Sequence, residues 1–596
     1  MPRRTLFALL GASAFLAAPT AVAAEPFEHV PQATAAGKGG AAATADSVAT
    51  SAAIDVLRRG GTAVDAAVAA AAVLGVNEPF SSGIGGGGFM VIRTPRGKVT
   101  TIDSREKAPA AMRPDSFIEN GKPLTFNEAR YSGLSGGVPG TVAGWQRALR
   151  SYGSWSLRRV LRPAIRVARE GFVIDRTFNE YVQDNATYFD DIAASEALYL
   201  DPDGTARDVG TIQRNPDLAR TYKRIGRLGP EGFYRGPIAE ALVGAVQSPE
   251  LTADADHTWR PGLITLQDLR DYTAPRRRAA RVSYRGLDVF GMGPPSSGAS
   301  TIGEALNILE GVPGWTTLSR AQKYHWFLEA SRFAFADRGK WLADPSYFDV
   351  PLRGLLSDSF ASERRALIDP AKAQAGAVPA GDPTDNAAIS GAPRASVASD
   401  PLRSTTHLTV ADRRGQVVAY TFTIESTGGN GIVVPGWGFL VNNELTDFDY
   451  TMPTAANAPE GGKRPRSSMA PTIVQRDGVP LLALGSPGGS TIITTVLQIL
   501  LERLDLGATL PQAIAAPRAA QRNGATTQAE PAFSASPDGQ LLAGQFGHVF
   551  VPPALGPPTN GEIGAATGIE FRRRGRMVAA AEPVRRGRGS AQVVRP

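Results

Sequence analysis

Thr405-Thr406-His407-Leu408-Thr409-Val410-Ala411-Asp412-Arg413-Arg414-Gly415-Gln416-Val417-Val418-Ala419-Tyr420-Thr421-Phe422-Thr423-Ile424-Glu425 holds two alternating runs around a turn. Thr406, Leu408 and Val410 alternate with Thr405, His407 and Thr409, and Val418, Tyr420, Phe422 and Ile424 alternate with Ala419, Thr421, Thr423 and Glu425. A period of two is that of β-strands. Arg413-Arg414-Gly415 predicts a three-residue hairpin loop with Gly415 left-handed, so residue 412 pairs with 416. Thr405 then lies opposite Thr423 and Leu408 opposite Tyr420, and both apolar sets share one face. A two-residue loop would set Thr405 opposite Phe422 and mix the faces. Thr405, Thr423 and Glu425 are therefore expected together on the other face, at one end of the hairpin.

The stretch before this hairpin, 370–401, is crowded with Ala, Gly, Pro, Asp and Ser, has no period, and reads as a loose, exposed segment open to cutting. Further upstream, apolar positions at helical spacing predict two packed helices over 46–76, divided by Gly60-Gly61. Residues 89–93 and 99–103 read as a hairpin turned by Pro95-Arg96-Gly97. Segments 155–171, 216–225 and 319–341 read as helices. Downstream, an apolar strand over 480–484 runs through Gly485-Ser486-Pro487-Gly488-Gly489-Ser490 into a helix over 491–503, and 524–564 reads as low in order. No repeat of fixed period is present.

The chain has 596 residues, 63 Lys plus Arg against 56 Asp plus Glu, a net charge of +7 and no cysteine. Disulfides, thiolate metal sites and cysteine nucleophiles are excluded. The length calls for one large elaborated unit or several domains. The arginines are dispersed, which reads as a solvated basic surface and not a nucleic-acid footprint. Arg3 and Arg4, an apolar run over 6–18 and the small residues Ala21-Val22-Ala23 read as a signal peptide over 1–24. No later window suits a membrane span, so a secreted or periplasmic product is expected.

Several motifs match on letters alone. Gly83-Ile84-Gly85-Gly86-Gly87-Gly88 fits the dinucleotide pattern, but a helix precedes it and a strand follows, the reverse of the required order. A glycine turn that lets backbones approach closely is the better reading. Gly133-Leu134-Ser135-Gly136-Gly137 lacks the strand and helix of a nucleophile elbow, and Ser104-Arg105-Glu106-Lys107 lacks a K-T-G companion. His29, His257, His325, His407 and His548 are scattered, with no spacing that suggests an imidazole metal site, and His325 reads as a core or capping residue. Two segments keep chemical promise. Backbone amides at the 485–490 turn can face an anion or a developing oxyanion, and Arg464-Pro465-Arg466-Ser467-Ser468 offers donors for a carboxylate.

With these blocks in order, the sequence resembles the γ-glutamyltransferases (glutathione hydrolases), N-terminal nucleophile enzymes made as one precursor. The resemblance rests on Ser81 to Met90, Ser104-Arg105-Glu106-Lys107-Ala108-Pro109, Gly137-Val138-Pro139-Gly140-Thr141, Pro294-Pro295-Ser296-Ser297-Gly298, Thr405-Thr406-His407, Asn442-Asn443-Glu444, Arg464 to Met469 and Gly485 to Gly489. It implies an αββα four-layer sandwich and a precursor that cuts itself between Ser404 and Thr405. The products, 25–404 and 405–596, stay together as a heterodimer. It implies Thr405 as nucleophile, Thr423 as its hydrogen-bond partner, and Gly488 with Gly489 as oxyanion hole. It further implies Arg105, Ser467 and Ser468 at a substrate α-carboxylate, and Glu425, Glu444 and Asp447 at its α-ammonium. The implied substrates are γ-glutamyl compounds such as glutathione, with amino-acid or peptide acceptors and neither cofactor nor metal. Two departures stand out. Glu425 occupies a position where many members carry Asn, although some bacterial members share Glu, and only 20 positions separate Asp447 from Ser467, fewer than in members with a lid loop. The rival readings are a cephalosporin or glutaryl acylase of the same build and an unprocessed protein that binds envelope polymers.

Overall fold

In the computed structural model, which describes residues 26–384, 404–553 and 561–595, the hairpin takes the expected register. Thr406 pairs with Phe422, Leu408 with Tyr420 and Ala411 with Val417. Asp412 N donates to Gln416 O at 3.0 Å, and Gly415 takes φ +84°. The Asp412 carboxylate fixes the loop by accepting from the amides of Arg414 and Gln416.

Thirteen strands form one continuous ribbon. In chain order they are β1 (Thr34–Thr44), β2 (Gly87–Arg93), β3 (Val99–Asp103), β4 (Arg276–Arg277), β5 (Ala280–Tyr284), β6 (Leu287–Gly291), β7 (Thr406–Asp412), β8 (Val417–Thr423), β9 (Thr472–Arg476), β10 (Val479–Gly485), β11 (Thr567–Phe571), β12 (Met577–Ala581) and β13 (Ser590–Arg595). Their neighbour order is β4-β3-β2-β8-β7-β1-β12-β11-β10-β9-β6-β5, and β13 also pairs with β1. β1 turns the corner: Thr34–Gly37 pair with β12, while Gly40–Ala43 pair with β7. The ribbon thereby doubles into two sheets packed face to face, with Ala411, Val417 and Ala419 sharing a core with Ala483, Ile569 and Ala579.

Helices cover both outer faces. α1 (Ser47–Arg58) and α2 (Ala63–Asn77) are the two expected helices. Asp46 caps the first by accepting from Val48 N and Ala49 N, and Thr62 with Asp65 forms a capping box on the second. Every residue of α2 is buried, and its alanines let it lie close against Leu408, Val410, Val418, Tyr420 and Phe422. On the opposite face, α3 (Gly298–Glu310), α4 (Arg320–Trp341) and α5 (Thr491–Leu504) pack Leu306, Phe327 and Leu500 against Ile473 and Leu484. The order helix, sheet, sheet, helix is the expected αββα sandwich. Among the described residues no helix is long and apolar enough to cross a membrane. The expected leader over 1–24 lies outside the described residues.

Three expectations are corrected. The single helix over 155–171 is two, Leu157–Val160 and Arg162–Glu170, with Pro163 opening the second. The described part of the loose segment, 370–384, is strapped down: Gly381 N donates to Asp337 Oδ1 at 2.5 Å, Arg332 Nη1 to Gly376 O at 2.7 Å, and Arg364 Nη2 to Pro379 O at 2.8 Å. The rest, 385–401, lies outside the described residues. The low-order stretch 524–564, of which 554–560 lie outside the described residues, carries a strand, Thr527–Ala529, and two helices, Pro531–Ser534 and Pro537–Gly544. They are anchored by Glu530, whose carboxylate takes two hydrogen bonds from Arg585. Buried ion pairs between distant residues leave no periodic trace.

Thr423 pairs with Gly87, and a Cβ built on the preceding Gly86 would fall 2.0 Å from the Thr423 carbonyl oxygen. Gly86→Ala is therefore expected to destabilise by about 3 kcal/mol. Gly244, in the helix Pro237–Gln247, has nothing within 4 Å of an added Cβ. Gly244→Ala should stabilise by up to about 1 kcal/mol. Urea unfolding of the two variants checks this, and shifts of the same sign contradict it.

Candidate active site

Thr405 immediately precedes β7 and is buried to 6 % exposure. Its Oγ1 lies 3.1 Å from Thr423 Oγ1 and 2.5 Å from the carbonyl oxygen of Ser404. Thr423 Oγ1 donates to the same carbonyl at 2.9 Å and accepts from the Glu425 amide at 2.8 Å. Ser404 N donates to Glu425 O at 2.9 Å, the hydroxyls of Ser404 and Ser81 are 2.7 Å apart, and Arg586 Nη1 donates to Thr405 O at 3.2 Å. The peptide bond before Thr405 is clamped from both sides, with one hydroxyl beside it and a second polarising its carbonyl. Attack by Oγ1 on the Ser404 carbonyl carbon needs this arrangement.

Arg105 follows β3, is 1 % exposed and spans two carboxylates. Nη1 donates to Glu444 Oε1, and Nη2 donates to Asp447 Oδ2 at 2.6 Å. Its remaining donors reach Pro465 O and Arg466 O, both at 3.2 Å, which brings the loop ahead of Ser467 and Ser468 to the same place. Burial opposes the Arg105 charge, but Glu444, Asp447 and Glu106 outweigh it and hold the guanidinium above its ordinary value. Burial pushes the Glu444 carboxyl well up despite Arg105, and Glu106, Asp447 and Glu425 push the same way. Glu106, next to Arg105 in the chain, is pushed up to about 7 by burial, again against Arg105. Burial and the crowding of like charges both favour the neutral form of these carboxyls.

Glu425 adjoins this group through Asn443, whose Nδ2 donates to Glu425 Oε2 at 2.7 Å and whose amide donates to Ile424 O. Its φ of +82° is unusual for a residue with a side chain and costs about 1 kcal/mol or more. Ser467 and Ser468 are held from the other side. Ser297 donates through N and Oγ to Ser467 O, each at 2.7 Å, and Arg338 Nη2 donates to Ser468 Oγ at 2.8 Å. Gly488 and Gly489, at φ +126° and +58°, form the turn between β10 and α5. Pro487 and Thr405 line one cavity of about 20 Å³. His407, two residues into the hairpin, packs on the start of this turn: a Cβ on Gly485 would lie 2.4 Å from its ring. Burial pushes His407 down to about 3, so the ring is neutral, and its nitrogens contact Thr421 Oγ1 and Thr409 Oγ1.

Sequence reasoning missed Glu106 as a member of the acidic group, although it adjoins Arg105. It also missed Arg338, whose partners Ser297 and Ser468 lie 41 and 130 positions away. Ser135 is structural, its hydroxyl donating to Arg130 O and Ser132 O. His325 is a core residue between Asp369 O at 2.8 Å and His548 Nε2 at 3.0 Å. His257 gathers with Asp191 and Asp256, a group sequence spacing did not suggest; its Nδ1 is 2.6 Å from Asp191, 66 positions away. A larger cavity of about 680 Å³, lined by Phe27, Val48, Trp155 and Arg159, shares no residue with the one at Thr405.

The Gamma-glutamyltranspeptidase family matches residues 49–592. The glutathione hydrolase proenzyme of Bacillus subtilis (strain 168) is 39 % identical over 494 residues, covering 81 % of this chain and 80 % of that protein. The acylase ACY 1 proenzyme of Pseudomonas sp. (strain V22) is 34 % identical over 495 residues, covering 81 % and 83 %. Among solved structures, the cephalosporin acylase from Bacillus halodurans matches with a TM-score of 0.80 at 27 % identity over 97 % of this chain and 99 % of that one. With an αββα sandwich that buries a threonine pair at a strand start, and a family match over most of its length, the chain belongs to the gamma-glutamyltranspeptidase family of enzymes.

Proposed function

We propose that the chain is an exported γ-glutamyltransferase and glutathione hydrolase that cuts itself between Ser404 and Thr405. The observation that carries this reading is the position of the Thr405 hydroxyl, 2.5 Å from the carbonyl oxygen of the residue before it and 3.1 Å from Thr423. Cutting frees the Thr405 α-amino group, whose reference pKa near 8 suits it to act as base for its own hydroxyl. Oγ1 then attacks the γ-carbonyl of a γ-glutamyl amide, the amides of Gly488 and Gly489 receive the oxyanion, and the amine leaves. Water or an amine acceptor resolves the γ-glutamyl ester.

Donor recognition follows from the internal ion pairs. Arg105 is engaged by Glu444 and Asp447, and an amino-acid zwitterion can replace that pairing without changing net charge. Its carboxylate takes the Arg105 fork with the hydroxyls of Ser467 and Ser468, and its ammonium takes the released carboxylates with Glu425. A second reading, acylase activity on glutaryl amides, is favoured by the likeness to the two acylases. A glutaryl group lacks the ammonium and would leave the carboxylates crowded without a counter-ion.

Three outcomes test these assignments. Purified protein should run as two bands, one about twice as heavy as the other, the lighter beginning at Thr405, and Thr405→Ala should stay uncut and inactive. A small fragment with another N-terminus contradicts the nucleophile. Arg105→Lys, which cannot reproduce the fork, should cut normally yet lose one to three powers of ten in kcat/KM, at about 1.4 kcal/mol each. Unchanged kcat/KM rejects its role. On the processed enzyme, γ-glutamyl-4-nitroanilide should exceed glutaryl-4-nitroanilide in kcat/KM by roughly 100-fold, for loss of one buried charge-assisted contact of about 3 kcal/mol. Equal values or a glutaryl preference move the assignment to the acylase reading.

A further inference from the structure

The base that serves the cut enzyme does not exist in the uncut chain, because the Thr405 nitrogen is still an amide. Self-cleavage therefore needs another proton acceptor. Among the described residues Thr405 Oγ1 touches a hydroxyl and a carbonyl oxygen and no base, and His407 is neutral with both ring nitrogens engaged. Two carboxylates, Glu78 and Glu582, line the cavity of about 20 Å³ beside Thr405, together with Ser81, Thr406 and Arg586. Glu582 is committed, with Arg518 at 2.9 Å and Arg585 at 2.8 Å. Glu78, at the end of α2, accepts a hydrogen bond from Thr406 Oγ1 at 3.3 Å. The cavity has room for one water, which needs about 10–15 Å³ and polar partners.

We propose that Glu78, acting through a water in this cavity, relays the proton of Thr405 Oγ1 during self-cleavage; the inference rests on the reading that the chain cuts itself at this bond. Oγ1 forms a bond to the Ser404 carbonyl carbon, and its proton passes by way of the water to Glu78. The C–N bond then breaks, its electron pair stays on the Thr405 nitrogen, and Glu78 returns the proton there. A water molecule next adds to the resulting ester, giving the Ser404 carboxylate, the free Thr405 hydroxyl and an α-ammonium. Nothing is oxidised or reduced.

The surroundings suit this exchange. Burial pushes Glu78 up to about 7, with Asp46 and Asp175 acting in the same direction and Arg586 and His29 against it. His29, 3.1 Å from Asp46, is itself raised to about 9 by that partner despite burial. Tyr181, from the helix Arg176–Gln183, closes the cavity and stays neutral. A carboxyl poised near the working pH both accepts and returns a proton readily.

The test follows precursor cutting on denaturing gels between about pH 5 and 9 for the wild type, Glu78→Gln and Glu78→Asp, with thermal unfolding as the fold check. Glu78 must be ionised to accept the proton, so the wild-type rate should rise through about pH 7 and level off. Glu78→Gln should cut on the order of 100-fold more slowly with no such rise, and Glu78→Asp should restore the rise. Glu78→Gln cutting at the wild-type rate, or slowly but with the wild-type rise, overturns the relay, as does Glu78→Asp without a rise. A wild type that never cuts fails differently: it removes the self-cleavage reading and the relay with it.

Discussion

The site depends on four side chains that are missing. A Cβ at Gly85 would lie 1.9 Å from Leu440 O, at Gly86 2.0 Å from Thr423 O, at Gly87 2.2 Å from Ser104 O, and at Gly88 2.5 Å from Thr421 O. These glycines let three backbones meet at the end of β8: the strand with Thr423 and Glu425, the bend with Arg105 and Glu106, and the loop into Asn443 and Glu444. No side chain could fit among them, so the residues that must share one small volume do so because nothing stands between their main chains.

Electrostatics then decides what that volume accepts. Arg105, Glu106, Glu444 and Asp447 are brought out of water, which is costly, and their hydrogen bonds offset only part of it. Burial raises the Glu106 and Glu444 carboxyls, which lightens the negative charge of the cluster. What remains is a guanidinium facing carboxylates, a zwitterion written in side chains. A ligand carrying both charges satisfies each half as it displaces the other, whereas one carrying a single charge leaves a buried ion unpaired. For the donors proposed above, this gives a reason for selectivity that does not depend on the size of the pocket.

The hairpin, the helices α1 and α2 and the strand-turn-helix at 485–490 were legible in the sequence because each is written in neighbouring residues, through a period of two, a period of 3.6 or a glycine-marked turn. The glycine run was legible as a close approach, though not what it approaches. Arg338 was not legible, since its partners Ser297 and Ser468 are brought near only by the fold, and neither was the meeting of Glu106 with Glu444 or of Glu78 with Thr406. The strap over 370–384 and the ordered pieces within 524–564 escaped for the same reason. Their composition is that of loose chain, and what orders them is Asp337, Arg332, Arg364 and Arg585, contributed from other parts of the chain.

The order of strands bears on what a cut before Thr405 would do to the fold. Strands before and after residue 404 alternate across the ribbon: β2 pairs with β8, β1 with β7, β12 and β13, and β6 with β9. The proposed cut removes one covalent link but none of these ladders, and each half also seals a core that the other half lines. Neither half can leave without exposing apolar sheet faces and unpaired strand edges, at a cost far above the entropy gained by freeing a chain end. The bond before Thr405 therefore carries little of the fold, and on the proposed reading its loss makes an amino group where the chemistry needs a base.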